Sequence, residues 1–180
     1  MAELGKATAA AVLAVWDAFT RGAITAATLG ELVAAHITRG MARGRGAALQ
    51  DYVEAYYRAL GSAPTGTLAF NPSAASAAAE RDRLATAALT IVTDPVDDAI
   101  GAPDMRLERL ARSEVHTATQ TQYADTLAAD ERAAGWRRGL NADACELCVW
   151  YARGGYVWPS DKPLQTHPGC SCYQIPEWTP

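Results

Sequence analysis

Cys145 to Cys172 reads CELCVWYARGGYVWPSDKPLQTHPGCSC, and this stretch holds all four cysteines of the chain together with His167, one of its three histidines. Cys145 and Cys148 form a CxxC pair, and after 18 intervening residues come His167, Cys170 and Cys172. A CxxC on a tight turn can present two sulfurs to one ion, because the amides of the turn point inward and stabilise thiolates. Thiolate and imidazole donors suit zinc, which takes four of them tetrahedrally and does no redox chemistry. The spacing predicts a structural Zn2+ held by four ligands drawn from Cys145, Cys148, His167, Cys170 and Cys172. A two-residue separation is expected to turn Cys170 and Cys172 to opposite faces of an extended segment, leaving one of them, or His167, outside the shell. Two disulfides formed in an oxidising medium are the other use of the same thiols.

The surroundings of these residues set the tail apart. Four of the five tryptophans, Trp136, Trp150, Trp158 and Trp178, lie beyond residue 135, among Gly154, Gly155, Pro159 and Pro163. Tyr156-Val157-Trp158 after the two glycines reads as a short hairpin strand. So turn-rich a unit buries too little apolar area to hold itself together, and a metal supplies the missing cross-link. Residues 135–180 are therefore expected to form a small α+β zinc-stabilised module.

Upstream the chain is Ala-rich and periodic. Val12, Val15, Trp16 and Phe19 fall at i, i+3, i+4, i+7, and Gly22 ends that helix. A second stripe is Leu29, Leu32, Val33 and Ile37, with Thr28 and Glu31 spaced as a capping box. A third is Leu49, Tyr52, Val53, Tyr56, Tyr57 and Leu60, closed by Gly61. Residues 1–60 thus read as N-terminal helices, and residues 61–73, GSAPTGTLAFNPS, as a linker. Residues 74–134 form a further helical region: one helix turns Leu84, Ala88, Ile91 and Val92 inward and stops at Asp94-Pro95, and a long polar helix starts near Pro103-Asp104. The expected fold is mainly α, an irregular helical bundle or arm carrying the C-terminal module.

Composition narrows the function. The net charge of −4 and pI near 5.3 argue against a chain that binds nucleic acid chiefly by neutralising phosphates. The apolar run from Ala7 to Trp16 is too short to span a bilayer and a poor signal peptide, so the cysteines are expected in a reducing cytoplasm. Enzymatic zinc is not expected either. There is no H-E-x-x-H, the H-x-E of a nucleobase deaminase is reversed in Glu114-Val115-His116, and a fully ligated ion leaves substrate no open position.

The order of these features resembles the phage Mu F-like (MuF) minor head, or head morphogenesis, proteins. The resemblance rests on Arg112-Ser113-Glu114 in the long polar helix, on Trp136, on Asp143-Ala144-Cys145-Glu146-Leu147-Cys148 with Gly154 following, and on His167-Pro168-Gly169-Cys170-Ser171-Cys172. It covers residues 105 to 172, and Ser171 departs from it where a basic residue is common. It implies a non-enzymatic virion protein in the capsid interior or at the portal vertex, assembled in the host cytoplasm. The implied partners are the portal protein, the major capsid protein and, further, packaged DNA, with neither membrane nor small-molecule substrate.

Within the polar segment Arg112 to Gln122 a solvated helix face is the plain expectation. Under the resemblance it becomes a docking surface in which Arg112 and Glu114 make directed ion pairs. His36 and the pair Tyr56 and Tyr57 are expected in the core, and His116 at the helix surface. Arg39, Arg43 and Arg45, and likewise Arg137 and Arg138, form small basic clusters. Two rival functions follow from the tail: a zinc-ribbon-like nucleic-acid-binding module using Arg137 and Arg138, and a redox-responsive regulator that releases zinc when the CxxC is oxidised.

Overall fold

A computed structural model describes residues 2–64, 74–94, 101–142, 144–167, 170 and 172–179. In chain order it contains α1 (Ala2–Thr20), α2 (Ala26–Leu60), α3 (Ala74–Thr93), α4 (Pro103–Ala129), β1 (Ala133–Gly139), α5 (Glu146–Ala152) and β2 (Tyr173–Trp178). The protein is mainly helical, with one small antiparallel sheet near its C-terminus. Most of the expected linker, residues 65–73, and the expected stop at Pro95 lie outside the described residues. No described helix is long and apolar enough to cross a membrane.

The second and third apolar stripes belong to one continuous 35-residue helix, α2. Nothing between Ile37 and Leu49 breaks the backbone: Gly40, Gly44 and Gly46 weaken a helix, but neither proline nor a left-handed residue interrupts it. The cap also sits one turn earlier than the expected Thr28. Thr25 precedes the helix, and its Oγ1 accepts from the Thr28 amide at 3.2 Å. Gly22 and Gly61 end α1 and α2 with φ of +74° and +67°, the left-handed conformation that glycine adopts without strain.

The chain divides into two units, Met1–Gly44 with Asn71–Thr117, and Arg45–Phe70 with Ala118–Pro180. In the first, Val12, Val15, Leu29, Val33, Ile37, Leu84, Ala88, Leu107, Ala111 and Val115 are buried. Helices cross closely at Gly40: a Cβ there would lie 2.4 Å from Thr8 Oγ1 and 2.8 Å from Val115 Cγ2. Leu32, at 39% exposure, departs from its stripe, and His36 is only half-buried.

In the second unit Tyr52, Tyr56, Leu127, Ala133 and Trp136 form a core, with Leu60, Tyr123, Trp158, Leu164 and Trp178 packed around it. Trp178 meets the rings of Tyr52 and Tyr56 edge-on, at centroid distances of 5.5 and 4.9 Å. Tyr57 was expected to pack beside Tyr56 but is 60% exposed, since adjacent helical residues lie about 100° apart around the axis. The long polar helix stops at Ala129 rather than continuing to 134, and the chain turns directly into β1. β1 pairs with β2, placing Arg137 opposite Ile175 and Arg138 opposite Gln174. The expected hairpin strand at 156–158 reduces to an isolated bridge between Trp158 and Trp136.

Tyr52 donates its hydroxyl proton to Asp130 Oδ2 at 2.6 Å. Burial first, and then the Asp130 carboxylate, pushes the Tyr52 pKa far above its ordinary value. A pKa raised by folding contributes stability below the unfolded value that is lost as pH rises past it. Stability should therefore fall as pH climbs past about 10, where an unfolded tyrosine ionises and Tyr52 in the folded chain does not. Tyr52→Phe should cost about 1–3 kcal/mol at neutral pH and make that alkaline decline shallower. Urea titrations at neutral pH and at about pH 10.5 check both.

Candidate metal centre

Cys145 is extended (φ −70°, ψ 163°) just ahead of α5, and Cys148 lies one turn in, its side chain buried beside Ala152. The CxxC is thus a helix start, and the Val149 amide donates to the Cys145 carbonyl at 3.0 Å. α5 ends at Arg153, the one non-glycine residue with positive φ (46°) among those described, and Gly154 and Gly155 continue the reversal at φ 63° and 94°. The chain returns to His167, whose carbonyl accepts from the Cys170 amide at 2.9 Å. Cys172 then leads into β2. Pro168, Gly169 and Ser171, together with Asp143, lie outside the described residues.

Cys170 and Cys172 are both buried, at 4% and 2% exposure, and cluster with Cys148. The expectation that they face opposite ways is therefore wrong. In extended chain residues two apart line the same face, and Cys170, Cys172 and Gln174 are all buried along the strand's approach. Gln120, buried on α4, donates Nε2 to the Cys172 carbonyl at 2.7 Å and anchors this segment. The polar stretch of α4 is accordingly not a solvated face throughout: Thr119, Gln120, Gln122 and Thr126 are buried.

His167 Nε2 lies 3.1 Å from Cys145 Sγ and 3.3 Å from Cys148 Sγ, and Cys148 Sγ lies 3.5 Å from Cys170 Sγ. Two donor triads result, Cys145–Cys148–His167 and Cys148–Cys170–Cys172, each with its atoms within 4.8 Å of one another. Cys148 belongs to both. All four cysteines are free thiols. Tetrahedral zinc with sulfur at about 2.3 Å and nitrogen at about 2.0 Å has ligand-to-ligand edges of roughly 3.5–3.8 Å. These three separations are a few tenths of an ångström shorter, and the donors gather as two triads joined at Cys148, so the cluster has the closeness and the soft N/S donor chemistry that a metal site requires.

Thiol electrostatics differ around the cluster. The Cys148 backbone amide, close to the Cys145 sulfur though short of a full capping bond, draws the Cys145 thiol below its usual value, with His167 assisting. Burial pushes Cys148 far up. Burial also pushes Cys170 up, but hydrogen bonds from the Cys172 amide and the neighbouring thiols outweigh it, leaving a net lowering. Thiols held this close cannot all ionise without a positive charge among them.

Sequence reasoning missed Arg138. It is 6% exposed, its Nη1 reaches Cys148 Sγ at 3.6 Å and Cys170 Sγ at 4.0 Å, and its Nη2 donates to the Gln165 carbonyl. Its guanidinium lies 5.4 Å from the Tyr151 ring centroid. Arg137 points outward and pairs with Glu177 at 2.9 Å. The two arginines read as one basic cluster therefore stand on opposite faces of β1. A signal was available in the alternation of Trp136 and Arg138 about Arg137, legible only to a reader who had already placed a strand there.

The two partner-contact candidates of α4 lie in the first unit. Glu114 accepts both guanidinium nitrogens of Arg83 at 2.8 Å each, and Arg112 pairs with Glu108 at 2.5 Å. Their ion pairs are made within the chain. Compared with protein-family models, with curated proteins and with solved structures, the chain finds no match in any of the three.

Proposed function

We propose that this chain is a non-enzymatic minor head protein of MuF-like type, in which one structural zinc, held by four of Cys145, Cys148, His167, Cys170 and Cys172, shapes a docking surface for a portal or major capsid protein. The observation that carries the docking role is the outer face of α5. That helix turns Cys148 and Ala152 inward, yet its solvent side shows Leu147, Val149 and Trp150 at 48%, 53% and 60% exposure. Tyr156 and Val157 are exposed just beyond its end. A helix of seven residues that is apolar on both sides is not stable by itself. The metal supplies a cross-link that holds α5 to the strand segment and keeps its outer side free for a partner. The resemblance in Arg112-Ser113-Glu114, Trp136, the CxxC and the terminal His167 to Cys172 segment points to the virion as the setting. The burial of Arg138 withholds from a phosphate backbone one of the two cations that a nucleic-acid role would use, and the other, Arg137, is paired with Glu177.

The test is co-purification of the reduced chain with portal oligomers and with procapsids from the phage that encodes it, with zinc measured on the same samples. Val149→Asp combined with Trp150→Asp should abolish association while leaving zinc content unchanged. Association that survives both changes would refute this face as the docking surface, and wild-type chain that joins neither assembly would refute the minor head reading.

A further inference from the structure

We infer that Arg138 is the counter-ion of the metal–thiolate centre: a guanidinium built into β1 that offsets the surplus negative charge of the ligands and holds Cys148 and Cys170 together. The inference rests on the reading of the cluster as a zinc site.

Arg138 is the one charged side chain among the buried polar residues described. A buried cation is costly unless matched by negative charge and hydrogen-bond acceptors. Among the described residues the groups facing its terminal nitrogens are two sulfurs and one backbone carbonyl, with the Tyr151 ring alongside, and no carboxylate is among them. Neutral thiols are weak acceptors and would leave the charge uncompensated. Thiolates remove that difficulty. Three thiolates and a neutral imidazole around Zn2+ sum to −1, and four thiolates sum to −2, so each candidate ligand set calls for a nearby cation.

The side-chain geometry suits that task. A guanidinium presents its donors as a planar fork, and here one nitrogen serves two sulfurs while the other is tied to the Gln165 carbonyl, just ahead of His167. Lysine keeps the charge but concentrates it in one ammonium group. The arginine also links the sheet to the centre: Arg138 stands opposite Gln174 in the register, and Gln174 follows Cys172 by two residues. Strand alternation supplies a built-in control, since neighbouring Arg137 faces away and pairs with Glu177.

The experiment uses the full reduced chain as wild type, R138M, R138K and R137M. Zinc affinity is measured by competition with a chromophoric chelator, and the sulfur-to-metal charge-transfer band is recorded on Co2+-loaded samples. R138M should bind zinc about 10–100-fold more weakly, as when a group supporting the ligands is lost, and R138K should lose less. The charge-transfer band should move in R138M and R138K, because hydrogen bonding to a thiolate lowers its donor energy, and stay in place in R137M. Filling space alone would not move that band. Wild-type zinc affinity and an unshifted band in R138M would overturn the inference while leaving the zinc site intact. If R138M does not fold, R138Q, which is uncharged but still polar, decides by the same criterion. Wild-type chain that binds no zinc would overturn the metal reading and this inference with it.

Discussion

Replacing Cys148 with serine is expected to abolish metal binding, taking zinc in the purified reduced chain from about one ion per molecule to none. Cys148 is the sulfur shared by both donor triads, and its loss leaves each triad with two donors and no atom that joins them. Of Cys170→Ser, Cys172→Ser and His167→Ala, the two that remove a ligand should lose zinc and the one that removes a side chain beside the shell should keep it; His167 Nε2 lies within 3.3 Å of both CxxC sulfurs. Elemental mass spectrometry on all four variants reads the outcome. Cys148→Ser protein with full zinc would refute the site, and wild-type protein with neither metal nor free thiols would mean disulfides in its place.

Trp136→Ala should be the most destabilising core substitution, at about 3–5 kcal/mol, a large part of a typical domain's 5–15 kcal/mol. Trp136 is 1% exposed, stacks on Trp158 with centroids 6.0 Å apart, and donates Nε1 to the Lys162 carbonyl at 2.9 Å. Truncation therefore opens a cavity and leaves a buried carbonyl without its donor. Beside it, Gly135→Ala should cost about 1–3 kcal/mol through overpacking. A Cβ there would lie 2.2 Å from the Trp158 carbonyl oxygen, a backbone atom that cannot rotate away. The strain falls on the paired amide–carbonyl bonds between Trp136 and Trp158, of 2.8 and 2.7 Å. Chemical denaturation followed by tryptophan fluorescence measures both. A Trp136→Ala cost below about 1 kcal/mol would show that the core does not depend on this ring.

Much of the helical part was legible because its information is local. The stripe Val12, Val15, Trp16 and Phe19 marks α1, Leu84 and Ala88 mark α3, and Gly22 and Gly61 mark true helix ends, since periodicity and left-handed caps act within one or two turns. The continuity of α2 was less legible. Its glycine-containing middle carries the stripe only thinly, through Met41 and Ala48 between Ile37 and Tyr52, and Gly40 lies where a Cβ would strike Thr8 and Val115. The sheet was hardest to see: β1 and β2 lie more than 30 residues apart, and the local signal at Tyr156-Val157-Trp158 was stronger than the true partner's.

The amino-acid sequence by itself determined which side chains can serve a metal, because cysteine and histidine in a CxxC-to-HxxCxC spacing have little other shared use. It also determined that the rest of the chain is helical, because 3.6-residue periodicity is written along the chain. Only the tertiary structure decided that the face shared by Cys170 and Cys172 is the inward one, that Gln120 anchors them, and that Arg138 rather than Arg137 stands against the sulfurs. Each of these depends on which face of an element another element covers. That is a property of non-local packing, and in the sequence the two arginines are neighbours of identical chemistry.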